Sequence, residues 1–269
     1  MLSITTDYVR DAGCPEPYLR RIAEAGFSHL HWCHHWRTDF VYSDPEIEQI
    51  AAWMQEYGLK LNDLHASAGV EKSWFSPREY ERLAGVELVE NRIRMAARLD
   101  SDVIIMHVPA EPEAADENGV FWTQLRKSLD ALEPCARDRG VRIAIENLFP
   151  DNYGTLERIF SQYGPDYVGL CYDSGHANFT GVDRLEQLKD RLISVHLHDN
   201  DGSGDQHKLI FSGTIDWDWL ARIMAASAYT KCVSMELSIH LTGIDDEEVF
   251  LEKAFETGMA FSRMIDAHR

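Results

Sequence analysis

The chain has 269 residues, of which 45% are hydrophobic, so it holds enough apolar material for a large core and is not intrinsically disordered. Its formal net charge of −19 argues against a nucleic-acid partner, because a duplex-binding surface must neutralise phosphates with lysine and arginine. No secretion signal is visible, and no apolar run reaches the ~20 residues of a membrane helix, so we expect a soluble, cytoplasmic protein without a membrane partner.

Short apolar runs alternate with amphipathic segments along the whole chain. In chain order, eight runs are predicted as strands: Leu2–Val9, Phe27–Cys33, Leu59–His65, Val103–Val108, Val141–Leu148, Tyr167–Tyr172, Leu192–Leu197 and Cys232–Leu237. Helical patterns between them cover Pro45–Tyr57, Pro77–Leu99, Phe121–Arg139, Asp183–Asp190 and Trp217–Ala226. Gly26, Gly58 and Gly140 stand where a left-handed helix cap leads into a strand, and Pro15 stands where a helix begins.

This alternation of helices with nearly continuous apolar strands predicts a parallel sheet covered on both faces. An open, doubly wound sheet is the alternative architecture. The count of eight strands, and the absence of a G-x-G-x-x-G motif after any of them, favour a closed barrel. No linker divides the chain, so residues 1–269 are predicted to form a single α/β domain, a (β/α)8 TIM barrel.

The cysteines are odd in number and scattered, without a C-x-x-C pair. They are Cys14, Cys33, Cys135, Cys171 and Cys232. This pattern predicts neither a disulfide framework nor a thiolate zinc site.

Metal-capable side chains stand at the ends of six predicted strands. They are His65, His107, Glu146, Asp173, His196 with His198, and Glu236. The C-terminal strand ends of a (β/α)8 barrel converge on one mouth. A single strand-end histidine or carboxylate is more often structural, but a carboxylate buried among apolar side chains costs several kcal/mol unless it is paired or metal-bound. Six together predict a shared divalent cation, and their oxygen and nitrogen atoms suit Mn²⁺, Mg²⁺, Co²⁺ or Zn²⁺.

Further candidates surround this set. In the Asp-Ser-Gly-His176 segment we expect His176 in the loop after the strand, facing the mouth. The i, i+2 spacing of His196 and His198 points both rings to one side, and it leaves open which of them binds the ion. Asp205 and His207 lie in a loop that can fold a second metal pair over the site.

The run from residue 31 to residue 37 concentrates three histidines and two tryptophans. An aromatic floor with hydrogen-bond donors beside it suits a sugar ring, which makes His34, His35 and Trp36 candidates for substrate binding. Core tryptophans with incidental histidines are an equally compatible interpretation.

With these residues in view, the chain resembles the xylose isomerase-like barrel superfamily over essentially its whole length. That superfamily includes sugar-phosphate isomerases and epimerases, ketose 3-epimerases, inosose-processing enzymes and abasic-site nucleases of the endonuclease IV type. The motifs that carry the resemblance are Ile145–Asn147, Asp173–His176, His196–Gly202 with Asp205–His207, and Gly213–Trp217.

The resemblance implies a metal-dependent sugar isomerase or epimerase. Sugar-acting members hold one divalent ion, and the matching ligands here are Glu146, Asp173, His196 and Glu236. The implied reaction passes through an enediolate, with Glu146 and Glu236 as the acid/base pair and His176 on a substrate oxygen. Residues left over for a second ion or for substrate hydroxyls are His65, His107, His198, Asp205 and His207. The implied partner is a small-molecule sugar, and, because members often form dimers or tetramers, a homo-oligomer is compatible with the resemblance.

Three other functions stay open. The endonuclease branch uses several zinc ions, and this chain keeps matching histidines and aspartates. Against it stand the net charge, the absence of a basic and aromatic loop for the DNA minor groove, and the mouth-side acids Glu111, Glu113, Asp116 and Glu117. A metal-dependent dehydratase or lyase of the inosose type shares the first proton abstraction with the epimerase. A non-enzymatic sugar or metal binder would hold a ligand without turnover.

Overall fold

The computed structural model describes residues 1–9, 13–66, 69–111 and 119–269. Its strands are β1 Leu2–Thr5, β2 His29–Trp32, β3 Lys60–His65, β4 Val103–Met106, β5 Arg142–Glu146, β6 Val168–Asp173, β7 Leu192–His196 and β8 Val233–Met235. They form one parallel sheet in the order β7-β6-β5-β4-β3-β2-β1-β8. All eight predicted strands are therefore present, with bounds that differ by a few residues from those the apolar pattern suggested.

The two outer strands of this order meet and close the sheet. Leu197, directly after β7, forms a parallel bridge with Met235 of β8. The amide of Leu197 donates to the carbonyl of Ser234 at 2.9 Å, and the amide of Glu236 donates to the carbonyl of Leu197 at 3.3 Å. The predicted (β/α)8 barrel is thus confirmed.

Helices alternate with the strands. They are α1 Glu16–Glu24, α2 Asp44–Tyr57, α3 Glu79–Arg98, α4 Val120–Arg139, α5 Tyr153–Phe160, α6 Ser174–Thr180, α7 Leu185–Leu188, α8 Trp217–Ala225 and α9 Glu247–Ala267, with 3-10 turns at Lys189–Arg191 and Ile239–Leu241. Gly26, Gly58 and Gly140 have positive φ of 96°, 69° and 64°, as expected for caps between helix and strand. Across the described ranges, no helix is long and apolar enough to cross a bilayer.

Two apolar clusters organise the core. The large one joins the helices to the outer face of the strands. The small one consists of residues from four adjacent strands: Val103, Ile105, Ala144, Cys171 and Ile193. Because side chains two residues apart lie on the same face of a strand, Ala144 shares its face with Glu146, and Cys171 shares its face with Asp173. Glu146 and Asp173 therefore lie next to this small cluster on the same face of the sheet, nearer to the C-terminal ends of the strands.

Candidate functional site

The register of neighbouring strands brings the predicted ligands side by side. Asp173 at the end of β6 is the register partner of His196 at the end of β7, and Glu146 of β5 pairs with Cys171. Glu236 follows β8 directly. The side chains of Asp173 and His196 are fully buried, whereas 13% of the Glu236 side chain is exposed. Glu236 is thus the carboxylate of this set that is open to the mouth.

Glu146 is the centre of the arrangement, because four imidazoles surround its carboxylate. Its Oε2 lies 3.1 Å from Nδ1 of His196, 3.2 Å from Nε2 of His107 and 3.6 Å from Nε2 of His65. Its Oε1 lies 3.3 Å from Nδ1 of His176. Burial alone would raise the pKa of Glu146, but the positive charge that His196 and His107 can carry holds it well below its usual range.

The four predicted ligands converge. Glu146, Asp173, His196 and Glu236 each offer one ligand atom, and these atoms all lie within 4.8 Å of one another. Nδ1 of His196 lies 2.7 Å from Oε2 of Glu236, yet neither ring nitrogen of His196 has a hydrogen-bond partner within the described chain. The short separation lacks hydrogen-bond alignment, as expected for ligands that point at a common ion rather than at each other. The donor set therefore fits a divalent cation.

His176 lies on a helix and not in the loop that the sequence predicted. Asp173 caps α6, since its Oδ1 accepts from the backbone N–H of His176 at 2.6 Å. The cap turns the chain directly from strand into helix and places the His176 ring between Glu146 and Asp205, with Nε2 3.4 Å from Oδ2 of Asp205. Its Nδ1 also lies 2.9 Å from the carbonyl oxygen of Asn147.

A second group, His198, Asp205 and His207, lies beside the first. Their ligand atoms also fall within 4.8 Å of one another. The rings of His198 and His207 stack at 4.1 Å between centroids and 10° between planes. Nε2 of His198 is 3.1 Å from Oδ2 of Asp173, so this group lies against a carboxylate of the central set. A third group unites His65, His107 and Glu146.

The acidic groups raise the affinity of neighbouring imidazoles for protons. Burial would lower the pKa of His176, but Asp173, Asp205 and Glu146 raise it to about 12. In the same way, Asp205 raises the pKa of His207 to about 10 against the effect of burial. For His65 burial prevails and lowers the pKa to about 4. The carboxylates thus give the mouth an excess of negative charge, which protons or a metal cation can neutralise.

The three residues predicted to bind substrate lie in two different places. Trp36 stacks on His65 at 4.2 Å and 21°, and lies edge-on to His107 at 5.0 Å, which places its ring at the site. His34 and His35 instead line an aromatic cavity of about 190 Å³ together with Trp32, Phe40 and Tyr42. The structure therefore brings only Trp36 to the candidate ligands, because the chain turns at His35, whose φ is +61°.

A buried polar network below the mouth was not predicted. Nδ1 of His31 on β2 lies 2.7 Å from Oδ1 of Asp63, its register partner on β3. Nε2 of His31 lies 2.8 Å from Sγ of Cys33. Burial raises the pKa of the Cys33 thiol well above its usual value. A signal was present: His31 and Cys33, like Asp63 and His65, are two residues apart and so share the inner face.

Of the mouth-side acids, Glu111 forms an ion pair with Arg158 at 2.6 Å. Glu113, Asp116 and Glu117 lie outside the described residues.

The comparisons with known proteins agree with this fold. The family described as xylose isomerase-like TIM barrel matches residues 19–263, and the chain belongs to that family. Uncharacterized protein y4fM of Sinorhizobium fredii is 32% identical over 276 residues, which cover 92% of this chain and 88% of that protein. A probable endonuclease 4 of Mycobacterium ulcerans is 27% identical over 191 residues, or 64% of this chain and 71% of the relative.

Among solved structures, a D-tagatose 3-epimerase-like protein superimposes with a TM-score of 0.78 at 21% identity, covering 99% of this chain and 97% of that one. A D-psicose 3-epimerase and an L-ribulose 3-epimerase superimpose with a TM-score of 0.77 each, at 18% and 15% identity, and share the same fold.

Proposed function

We propose that this protein is a divalent-metal-dependent sugar isomerase or epimerase that acts through an enediolate. The observation that carries the proposal is the convergence of Glu146, Asp173, His196 and Glu236 within 4.8 Å at the barrel mouth, with His196 left without a hydrogen-bond partner in the described structure. These four residues would hold the ion. When bound, a divalent cation supplies a Lewis acid that stabilises negative charge developing on a carbonyl oxygen.

The chain's own residues divide the remaining work. Glu236 would take the proton beside the carbonyl, a role supported by its exposure at the mouth. Glu146 is the second carboxylate of the pair and delivers a proton to the neighbouring carbon or to the opposite face. His176 would contact a substrate oxygen through Nε2, because its Nδ1 already lies 2.9 Å from the carbonyl oxygen of Asn147. The ring of Trp36 packs against His65 and His107, and the guanidinium of Arg37 lies 4.4 Å from its centroid, so this aromatic wall would contact the sugar at the mouth.

The test is deuterium exchange in heavy water with a panel of free and phosphorylated ketoses, in the presence of Mn²⁺, Co²⁺, Zn²⁺ or Mg²⁺. We expect deuterium to enter at the carbon beside the carbonyl, together with a new stereoisomer or aldose. Glu236→Gln should slow the exchange by about 10²–10⁴-fold, the typical contribution of a general base. Loss of water from the substrate would instead identify a dehydratase, whose reaction begins with the same abstraction of a proton beside the carbonyl.

The matched control is Glu157→Gln, which neutralises a half-exposed glutamate that pairs with Arg184 at 2.6 Å. It should leave exchange unchanged. Ligand binding without exchange for every ketose and every metal would contradict the proposal and favour a non-enzymatic binder. The expectations of a cytoplasmic location and of a homo-oligomer stay predictions.

Hydrolysis of nucleic-acid phosphodiesters is the second candidate. It is favoured by the three ligand groups around Glu146 and Asp205, which provide room for more than one ion, and by the likeness to endonuclease 4. The net charge of −19 argues against it because the DNA backbone is an anion. Incubation with a duplex that contains one abasic site decides the matter: strand cleavage at that site, lost in Glu146→Gln, would establish the nuclease and overturn the sugar proposal.

A further inference from the structure

Below the predicted ligands, a thiol and an imidazole meet the carboxylate of Glu236. His31, Cys33 and Glu236 offer one nitrogen, one sulfur and one oxygen atom, all within 4.8 Å of one another. His31 and Cys33 are fully buried, and Glu236 connects them to the mouth. We infer that these three residues form a second cation site, which shares Glu236 with the first and selects thiophilic ions such as Zn²⁺ and Cd²⁺.

The hydrogen-bonding of His31 is that of a metal ligand. Its Nδ1 faces the buried Asp63 at 2.7 Å, and an ionised carboxylate can only accept, so Nδ1 carries the proton. Nε2 is then unprotonated, and its lone pair accepts a hydrogen bond from Sγ–H of Cys33. Histidines that bind metals almost always donate their other ring N–H to such a carboxylate, which fixes the tautomer and the ring orientation.

Asp63 is itself held in place. Its Oδ2 accepts from Nδ2 of Asn62 at 2.7 Å and from the hydroxyl of Ser194 across the barrel. A buried carboxylate with three donors is costly to assemble in a barrel interior that apolar side chains could fill. His31 is therefore held in the tautomer and orientation that a metal ligand needs.

The sulfur ligand sets the selectivity. Thiolate, imidazole and carboxylate together suit Zn²⁺ or Cd²⁺ and disfavour Mg²⁺ and Mn²⁺, which prefer oxygen. The ion takes the place of the hydrogen between Sγ and Nε2: the S–H bond breaks, a metal–sulfur bond forms, and the proton leaves to solvent. Sγ and Nε2, now 2.8 Å apart, would separate to roughly 3.5 Å around a tetrahedral ion.

Occupation of this site also affects the neighbouring one. Glu236 belongs to both ligand groups, so a thiophilic ion withdraws it from the pair with Glu146. This consequence rests on the proposed function and predicts inhibition of ketose exchange by Cd²⁺ that excess Mn²⁺ relieves, because the two ions compete for Glu236, and that Cys33→Ser weakens. The binding of the ion itself does not depend on any enzymatic activity.

The test is titration of chelator-treated protein with Cd²⁺, followed by the ultraviolet thiolate-to-cadmium charge-transfer band and by metal analysis after gel filtration. We expect the intensity of the band to saturate at the value for one cadmium–sulfur bond per chain. Cys33→Ser should abolish it, while Cys14→Ser, a change at an exposed cysteine, should retain it fully. Glu236→Gln should keep the band but weaken Cd²⁺ binding by at least tenfold.

Three results would overturn the inference: no band in the wild-type protein, a band that survives Cys33→Ser, or a band removed by Cys171→Ser alone. If Cys33→Ser does not fold, cadmium NMR of a variant that lacks the other four cysteines decides, because a sulfur-shifted signal there can come only from Cys33. A normal band in a protein without deuterium exchange would refute the proposed function and leave this site standing.

Discussion

Gly175→Ala would place a methyl group against the imidazole of His198. Gly175 is the second residue of α6, and a Cβ built on it meets Cε1, Nδ1 and Nε2 of His198 at separations that real side chains do not show. The ring cannot retreat, because His207 stacks on it at 4.1 Å. Its backbone cannot shift freely either, since the amide of His198 donates to the hydroxyl of Ser174 at 3.0 Å, and that hydroxyl donates to the carbonyl of His198 at 2.8 Å.

The cost follows from this confinement. Forcing an extra methyl into a packed interior typically costs about 1–3 kcal/mol. For a chain of this size, that corresponds to a fall in Tm of roughly 2–12 °C. Because the methyl group would overlap three ring atoms of His198, we expect the upper part of that range, about 2–3 kcal/mol, and the gain in helix propensity from glycine to alanine, about 1 kcal/mol at most, offsets only part of it.

Thermal and urea unfolding of the metal-free protein measure the effect. Gly154→Ala is the matched control, because Gly154 is likewise the second residue of a helix, α5, and no described atom lies within 4 Å of the position that a Cβ would take there. It should be neutral or slightly stabilising. His198→Ala removes the obstructing ring, so the double variant with Gly175→Ala should be more stable than the sum of the single changes by about 1–3 kcal/mol.

A Gly175→Ala protein as stable as the wild type would refute this account of the close approach. So would strict additivity in the cycle, because it would mean that the methyl group and the ring do not compete for the same space.

Further predictions concern the buried carboxylate, the aromatic ring at the mouth and the charge of the imidazoles. Asp63→Ala leaves three buried donors without an acceptor and should destabilise the fold by about 3–5 kcal/mol in urea unfolding; a loss below ~1 kcal/mol contradicts it. Trp36→Leu should raise the ketose KM about tenfold with a smaller change in kcat, and an unchanged KM would remove the ring from the binding surface. The pKa values of His176 and His207 are raised to about 12 and about 10, so the stability contributed by their protonation is complete below the unfolded value of ~6.5 and is lost as pH rises. Melting in chelator should therefore show a Tm that falls between about pH 7 and pH 10, and a flat profile would count against the imidazole–carboxylate pairs.

Much of the architecture could be predicted because barrel strands are buried on both faces and so read as apolar runs. The polar residues that interrupt those runs at strand ends, such as Glu146 and Asp173, stand out for the same reason. The conformation of the segment after a strand is harder to predict. The sequence pattern places Asp173 at a strand end before a loop, whereas its side chain also caps α6, and this single hydrogen bond decides where His176 lies.

The aromatic run illustrates a second limit. Composition indicated a sugar-binding surface for His34, His35 and Trp36 together, but a left-handed residue at position 35 sends neighbouring side chains to different places. Periodicity carries no information about such a turn. The pairing of His31 with Asp63 depends on register between two strands, which the sequence of either strand alone does not reveal.

The contact that completes the barrel lies within the candidate site. The bridge between Leu197 and Met235 is flanked by His196 on β7 and by Glu236 after β8. An ion bound by both residues would therefore link these two strands and stabilise the closure of the barrel. Binding of the metal ion and stabilisation of the pairing between β7 and β8 would then occur together. The amide hydrogens of Leu197 and Glu236 would become slow to exchange with solvent when the ion arrives, well before any sugar is present.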